Sequence, residues 1–182
     1  MGAESMPIRL PKLVERDPRA TELLHILTSN TRPLWSGGEI EVPLVKLDHE
    51  LAKALRSAHN AGRVVRGLES ANKKLASEER GLSLADQRAN VVRGARVSRL
   101  LLLADDGAER FYRHVETLLR RHEPRVLAVR LALDAAALGE LLFGPNRPVR
   151  LLMIEHKEAV CSVLLAMASR PIHNDDLALD AE

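Results

Sequence analysis

Residues 97–104 read VSRLLLLA, and this apolar run begins the most regular part of the chain. Two further runs of the same kind follow, RVLAVRLAL at 125–133 and VRLLMIE at 149–155. Segments with the spacing of helices follow the three runs, at 108–122, 134–142 and 157–168. Strands that alternate with helices are typical of a mostly parallel sheet that is covered by helices on both faces. The sequence therefore predicts an α/β domain.

Two more helices are predicted upstream of this region. Asp48 is suited to cap a helix over 49–60, and Gly62 is suited to end it. A second helix begins near Leu68 and places apolar residues inward at helical spacing. Residues 76–96 are polar and interrupted by glycine, so we expect an inserted loop there, with at most a short helix within it.

Both ends of the chain are expected to lie outside the domain. Residues 1–46 are rich in proline and include a loop-like stretch at 31–43, which predicts an N-terminal arm with one short helix over 18–28. Residues 169–182 end in an acidic segment and are expected to form a disordered C-terminal tail. The α/β domain is accordingly expected to span 47–168.

The composition excludes several classes of protein. With 182 residues, 46% of them hydrophobic, the chain can bury the core of one domain. Its single cysteine, Cys161, excludes a disulfide within the chain, and the apolar residues around it favour a buried thiol. No run approaches the ~18 apolar residues of a membrane span. The lone cysteine and the lack of an apolar signal core favour an intracellular protein, with no compartment specified.

No catalytic or cofactor motif stands out in the sequence. A phosphate-binding GxxxxGK[ST], a dinucleotide-binding GxGxxG and a nucleophile GxSxG are all absent, and the seven histidines are scattered. Asp105 and Asp106 follow the first apolar run, at the position where α/β folds place their chemistry. No nucleophile or base accompanies them, so we interpret them as a helix-capping turn. We expect no metal, no cofactor and no enzymatic activity.

The net charge of +2 hides a local excess of positive charge. Residues 51–100 hold eleven Lys and Arg against four Asp and Glu, which favours a polyanionic partner. The stretch GRVVRGLESANKKL at 62–75 joins a basic, glycine-containing turn to a helix start, where backbone N–H groups and cations can hold phosphate. With four aromatic residues in the chain, stacking of unpaired bases is disfavoured, and recognition of a folded RNA shape is favoured.

Four short motifs carry a family resemblance. RGLESANK at 66–73 resembles a signature of the form Arg/Lys-Gly-x-Asn-Glu-x-Thr-Lys, and LLLAD at 101–105 resembles a strand that ends in Ala-x-Asp. ALG at 137–139 and NRPV at 146–149 resemble a Leu-Gly pair and a Ser-Arg-Pro-Val turn. Together they resemble the kink-turn RNA-binding superfamily, namely ribosomal proteins of the L-seven-Ae and L-thirty-e type, core proteins of box C/D and H/ACA particles and a subunit of RNase P/MRP.

The resemblance implies a fold, a function and a site. The fold would be a three-layer α/β/α sandwich around a four-stranded mixed sheet, with the fourth strand near Val64 and Val65. The protein would be a non-catalytic RNA-binding subunit of a ribonucleoprotein that recognises a bent internal loop of RNA or its backbone. The implied RNA-binding residues are Arg63, Arg66, Gly67, Glu69, Ser70, Asn72, Lys73, Arg147 and Val149.

Two positions of the signature differ from the family. Glu69 stands where the family has Asn, and Ser70 stands where it has Glu. A carboxylate at 69 repels RNA acceptors unless it meets an amino donor. Two hypotheses therefore stay open. The chain is an RNA-binding subunit whose arm, insert or tail docks on other subunits, or it is a protein-interaction module of a large assembly in which the RNA-binding signature is partly lost.

Overall fold

A computed structural model describes residues 8–89 and 96–168. Over these residues the chain forms seven helices and six strands. The helices are α1 (Lys12–Glu15), α2 (Ala20–Thr28), α3 (His49–Asn60), α4 (Leu68–Ala89), α5 (Glu109–His122), α6 (Ala135–Phe143) and α7 (Lys157–Ala168). The strands are β1 (Thr31–Pro33), β2 (Glu41–Val45), β3 (Val64–Arg66), β4 (Arg99–Leu103), β5 (Val126–Leu131) and β6 (Leu151–Ile154).

The six strands form one sheet in the order β1-β2-β5-β4-β6-β3. Strands β2, β5 and β4 are parallel, whereas β6 is antiparallel to both of its neighbours, β4 and β3, and β1 is antiparallel to β2. The α/β class is thus confirmed. The sheet is mixed and has six strands, so the four-stranded sheet implied by the family resemblance is wrong in strand number.

The apolar run in β4 separates the two halves of the core. Leu100 and Leu102 join the cluster under α1, α2, α3, α6 and α7, while Leu101 and Leu103 join the cluster under α4 and α5. Successive side chains of a strand point to opposite faces, so a strand covered on both sides needs an unbroken apolar run. All four leucines are fully buried, and each contributes about 1.5–3 kcal/mol of hydrophobic stabilisation.

Most of the predicted N-terminal arm is part of the domain. Leu23 and Leu27 of α2 are buried, and β2 extends the sheet by pairing Leu44 with Arg130 of β5. The prediction of an arm over 1–46 is therefore wrong for residues 8–46. Pro33, Pro43 and the Gly37-Gly38 pair between them suggested a loop, because proline is uncommon in strands. Pro43 lies in β2 just before Leu44 and Val45, the residues that pair with β5. Pro33 lies in β1, the edge strand, where a missing backbone N–H costs no ladder hydrogen bond.

The predicted insert at 76–96 is helical as far as Ala89, since α4 continues through it. Glu78 fixes the first turn of this stretch on the sheet, because its carboxylate accepts hydrogen bonds from Arg99 (3.0 Å) and from Arg125, on β4 and just before β5. Gly81, whose absent Cβ would meet open space, costs about 1 kcal/mol inside a helix and does not end it. The rest of the insert, 90–95, and the predicted tail at 169–182 lie outside the described residues.

Several local predictions are confirmed. Helices α3 and α7 have the predicted bounds, and β3 occupies the position expected for an additional strand. The carboxylate of Asp48 accepts a hydrogen bond from Leu51 N at 2.8 Å, as a helix N-cap does. Gly62, at φ +72°, ends α3, and the hydrogen bond from Arg63 N to Ala58 O completes the Schellman motif. Cys161 is buried, and burial raises the pKa of its thiol.

A buried carboxylate attaches the loop between β1 and β2 to α5. Glu116 is only 5% exposed and accepts hydrogen bonds from the backbone N–H groups of Glu39 (2.8 Å) and Ile40 (3.1 Å) and from Trp35 Nε1. Burial opposes ionisation of Glu116, but these hydrogen bonds, with one from Arg120, outweigh it and hold the pKa of the carboxyl below its ordinary value.

Replacing Glu116 with Gln should lower the free energy of unfolding by roughly 1–3 kcal/mol at neutral pH, because two backbone donors and an indole lose a charged acceptor. The folded-state pKa lies below the ordinary 4.5, so the stabilisation is complete above 4.5 and is lost as the pH falls toward the folded-state value. Denaturant unfolding should therefore show a weaker acid dependence for Glu116→Gln than for the wild type. Exposed Glu140→Gln is the control and should stay within about 0.5 kcal/mol of the wild type; equal losses in both variants would contradict the assignment.

Candidate nucleic-acid interface

Strands β3 and β4 end at the same edge of the sheet, because β6 lies between them and is antiparallel to both. We call this the carboxyl edge. Helices α4 and α5 begin there, and β6 starts there. Two backbone hydrogen bonds of 2.9 Å connect its parts, from Gly67 N to Leu151 O and from Ala104 N to Arg150 O. The strand pairing thus brings the basic turn at 62–75 next to the residues that precede β6.

Gly67 joins β3 to α4 in a conformation that favours glycine. Its φ is +91°, and a Cβ added there would meet nothing within 4 Å. The backbone angle, and not lack of space, therefore requires glycine. Gly67 O accepts the first hydrogen bond of α4, from Ala71 N at 3.1 Å. Because Gly67 has no side chain to cap the helix, the first N–H groups of this 22-residue helix can turn to an external anion.

The predicted contacts on the first turns of α4 all face solvent. Glu69, Ser70, Asn72 and Lys73 are exposed. Glu69 and Lys73 form an ion pair of 3.3 Å, with 85% and 78% of their side chains exposed. Such an exposed pair contributes no more than about 0.5 kcal/mol, so an RNA phosphate can replace the carboxylate at low cost. The pair also shows that Glu69 competes with any anion for Lys73.

Arg66 connects the basic turn to the loop at 144–149. Its Nη2 donates a hydrogen bond of 3.1 Å to Pro148 O, and its guanidinium lies 4.8 Å from the ring centre of Phe143 at the end of α6. The structure therefore brings together the two segments that the sequence predicted to share a site. Arg66 has partners within the protein, which makes it a support for the loop.

The Leu138-Gly139 pair of α6 packs against the loop at 144–149. A Cβ on Gly139 would lie 1.8 Å from Arg147 O, so only glycine allows this close approach. Val149 N donates a hydrogen bond of 3.0 Å to Ala135 O, and the Val149 side chain is 4% exposed. The contact of Val149 with RNA stays a prediction, and the burial of its side chain suits an anchor for the loop. Arg147 is exposed and makes no hydrogen bond or ion pair with the described part of the chain.

The remaining cations of the basic turn lie away from the carboxyl edge. Arg63 precedes β3, and its carbonyl oxygen accepts from Glu155 N at 2.9 Å, beyond the opposite end of β6. Lys74 is paired with the Glu155 carboxylate at 3.1 Å. The basic stretch is therefore spread along β3 and α4, which the sequence did not show. Its edge portion consists of Arg66, Gly67, Glu69, Ser70 and Lys73.

Asp105 and Asp106 have partners within the fold. Asp106 Oδ1 accepts a hydrogen bond of 2.9 Å from Ala135 N, the first residue of α6, and Asp105 Oδ1 lies 3.6 Å from Arg130 Nε. Asp106 thus serves a helix start, as predicted, but the start of α6 and not of the next helix along the chain. Among the described residues, no group of three or more His, Cys, Asp or Glu is placed to hold a metal. No described helix is long and apolar enough to cross a membrane.

Comparison with known proteins leaves the function open. No protein-family model and no curated protein matches the chain. Among solved structures, one similar protein is a Bacillus halodurans protein of unknown function, 12% identical, with a TM-score of 0.44 over 66% of this chain and 98% of that one. Another is the Giardia lamblia 15.5kD RNA binding protein, 18% identical, with a TM-score of 0.45 over 65% of this chain and 82% of that one.

Replacing Gly139 with Ala should displace the loop at 144–149, because the new Cβ would collide with Arg147 O and backbone cannot rotate away as a flexible side chain can. We expect a loss of about 1–3 kcal/mol in the free energy of unfolding, measured by denaturant titration. Gly81→Ala is the matched control, since that glycine is also helical but faces open space and should gain up to ~1 kcal/mol. A neutral Gly139→Ala would show that the loop does not rest on α6.

Proposed function

We propose that this chain is a non-catalytic RNA-binding subunit of a ribonucleoprotein, of the ribosomal, small nucleolar or RNase P/MRP kind. The RNA would be a folded one with a sharply bent internal loop, held at the carboxyl edge. One observation carries the proposal. Gly67 leaves the N-terminal N–H groups of α4 without a side-chain cap, beside the loop at 144–149. Arg66 connects the helix start to that loop by its hydrogen bond to Pro148 O.

The chemistry of this edge suits a phosphate backbone. The N-terminus of α4 supplies N–H groups and the positive end of the helix dipole. Lys73 and Arg147 add exposed cations on either side, one on the helix and one on the loop. Phosphates supply affinity without sequence information, so selectivity would come from the exposed side chains of Ser70 and Asn72, and from Glu69 where a base offers its carboxylate an amino donor.

The partners of Asp105 and Asp106 support a non-catalytic role. The Asp106 carboxylate accepts a hydrogen bond from the first residue of α6, and the Asp105 carboxylate lies beside Arg130. Both carboxylates therefore stabilise the fold at this edge.

Replacing Lys73 with Gln should weaken binding to an RNA hairpin that contains a bent internal loop. The loss of one phosphate contact should lower the slope of log affinity against log salt by roughly 0.7–0.9. Fluorescence anisotropy titrations at several salt concentrations measure both quantities. Lys12→Gln, which removes an exposed lysine of α1, is the charge-matched control and should leave the slope unchanged. Failure of the wild-type protein to bind such hairpins would refute the proposed function.

Replacing Glu69 with Gln should strengthen RNA binding, because the variant frees Lys73 and removes a negative charge beside the phosphates. We expect a two- to fivefold gain in affinity at low salt, equivalent to roughly 0.4–1 kcal/mol, that shrinks as salt rises. The same titrations test it. A loss of affinity instead would mean that the carboxylate accepts a hydrogen bond from a base amino group, which is the other role open to it.

A further inference from the structure

The exposed side of α5 carries an excess of positive charge that the site at the carboxyl edge does not include. Its apolar side is buried against the sheet, with Tyr112, Val115 and Leu119 among the residues of that core. Its outer side holds four arginines and one exposed acid, Glu109. We call this surface the α5 arginine face, and it consists of Arg110, Arg113, Arg120 and Arg121.

Two of the four arginines are held within the protein. Arg113 lies 3.4 Å from Glu109 and 4.5 Å from the ring centre of Trp35, and Arg120 is paired with Glu39 at 2.8 Å. Arg110 and Arg121 are exposed and make no hydrogen bond or ion pair with the residues that the structure describes. They lie roughly 16 Å apart along the helix, given the rise of 1.5 Å per residue.

The α5 arginine face continues from the carboxyl edge. Strands β3 and β4 run in the same direction, so α4 and α5, which follow them, both start at that edge. Both helices cover the same face of the sheet and touch one another. Arg150 precedes β6, the strand between β3 and β4, and its exposed side chain makes no hydrogen bond or ion pair with the described residues. Exposed cations therefore stand near the starts of α4, β6 and α5, and Arg121 lies at the far end of α5.

We propose that the α5 arginine face binds backbone phosphates of the RNA helix that flanks the loop held at the carboxyl edge. This inference rests on the proposed function. A duplex suits the face because its cations stand on one rigid helix. Trp35 lies beside this face, and the guanidinium of Arg113 covers its ring, so this indole does not present a free face to an unpaired base. Double-stranded RNA is recognised through its phosphates and shape, which matches a surface of this kind.

The test compares two hairpins with the same bent internal loop, one with a flanking stem of about three base pairs and one with about twelve, long enough to reach along α5. The R110Q/R121Q variant removes the two unpaired arginines, and R16Q/R32Q, at two exposed arginines of other surfaces, is the charge-matched control. We expect wild-type protein and the control to bind the long-stem RNA more tightly than the short-stem RNA. R110Q/R121Q should bind both RNAs alike, with a salt slope for the long stem that is lower by roughly 1.4–1.8.

Each other outcome has a separate meaning. If the wild type binds both RNAs equally, or if R110Q/R121Q keeps the preference for the long stem, this inference is overturned and the site at the carboxyl edge is unaffected. If the wild type binds neither RNA, the proposed function fails and this inference fails with it. If polyglutamate binds more tightly than the long-stem RNA and R110Q/R121Q abolishes that binding, the face belongs to an acidic protein and the RNA assignment is wrong.

Discussion

The placement of β6 between β3 and β4, antiparallel to both, is the constraint on which the candidate site depends. Because of it, two strands that are far apart in sequence end at one edge, and the residues before β6 lie between them. The hydrogen bonds of Gly67 N to Leu151 O and of Ala104 N to Arg150 O follow directly from this pairing. A different position for β6 would leave the basic turn and the loop at 144–149 on separate surfaces.

The arginines and lysines of this surface divide into two groups by their partners. Arg66 and Arg113 are held by a carbonyl oxygen, a carboxylate or aromatic rings, so their charge supports the packing of loops and helices. The side chains of Arg110, Arg121, Arg147 and Arg150 have no such partners within the described chain. Since a cation that is already paired gives up its partner on binding a phosphate, these arginines bind phosphate at the lowest cost, followed by Lys73, whose exposed pair with Glu69 is weak.

The sequence predicted most of the secondary structure from 47 onward because two local signals agree there. The run of leucines in β4 needs burial on both faces, and Asp48 and Gly62 mark helix ends by chemistry that acts within a few residues. The N-terminal strands and the second half of α4 were missed for the opposite reason. An edge position makes Pro33 acceptable in a strand, and ion pairs of Glu78 with Arg99 and Arg125 hold a polar part of α4 against the sheet. Both causes act between residues that are distant in the chain.

By itself the sequence determined the α/β class and the glycine turn before α4, because composition, periodicity and motif spacing are local properties. The candidate RNA contacts were implied by the resemblance of four short motifs to a family. Only the tertiary structure decided which of those residues share a surface. Arg63 lies away from the carboxyl edge, and Arg66 contacts Pro148 O and the ring of Phe143. The side chain of Val149 is buried, and α5 packs beside α4. The physical reason is that strand order and side-chain pairing arise from contacts between distant segments, and no local pattern encodes them.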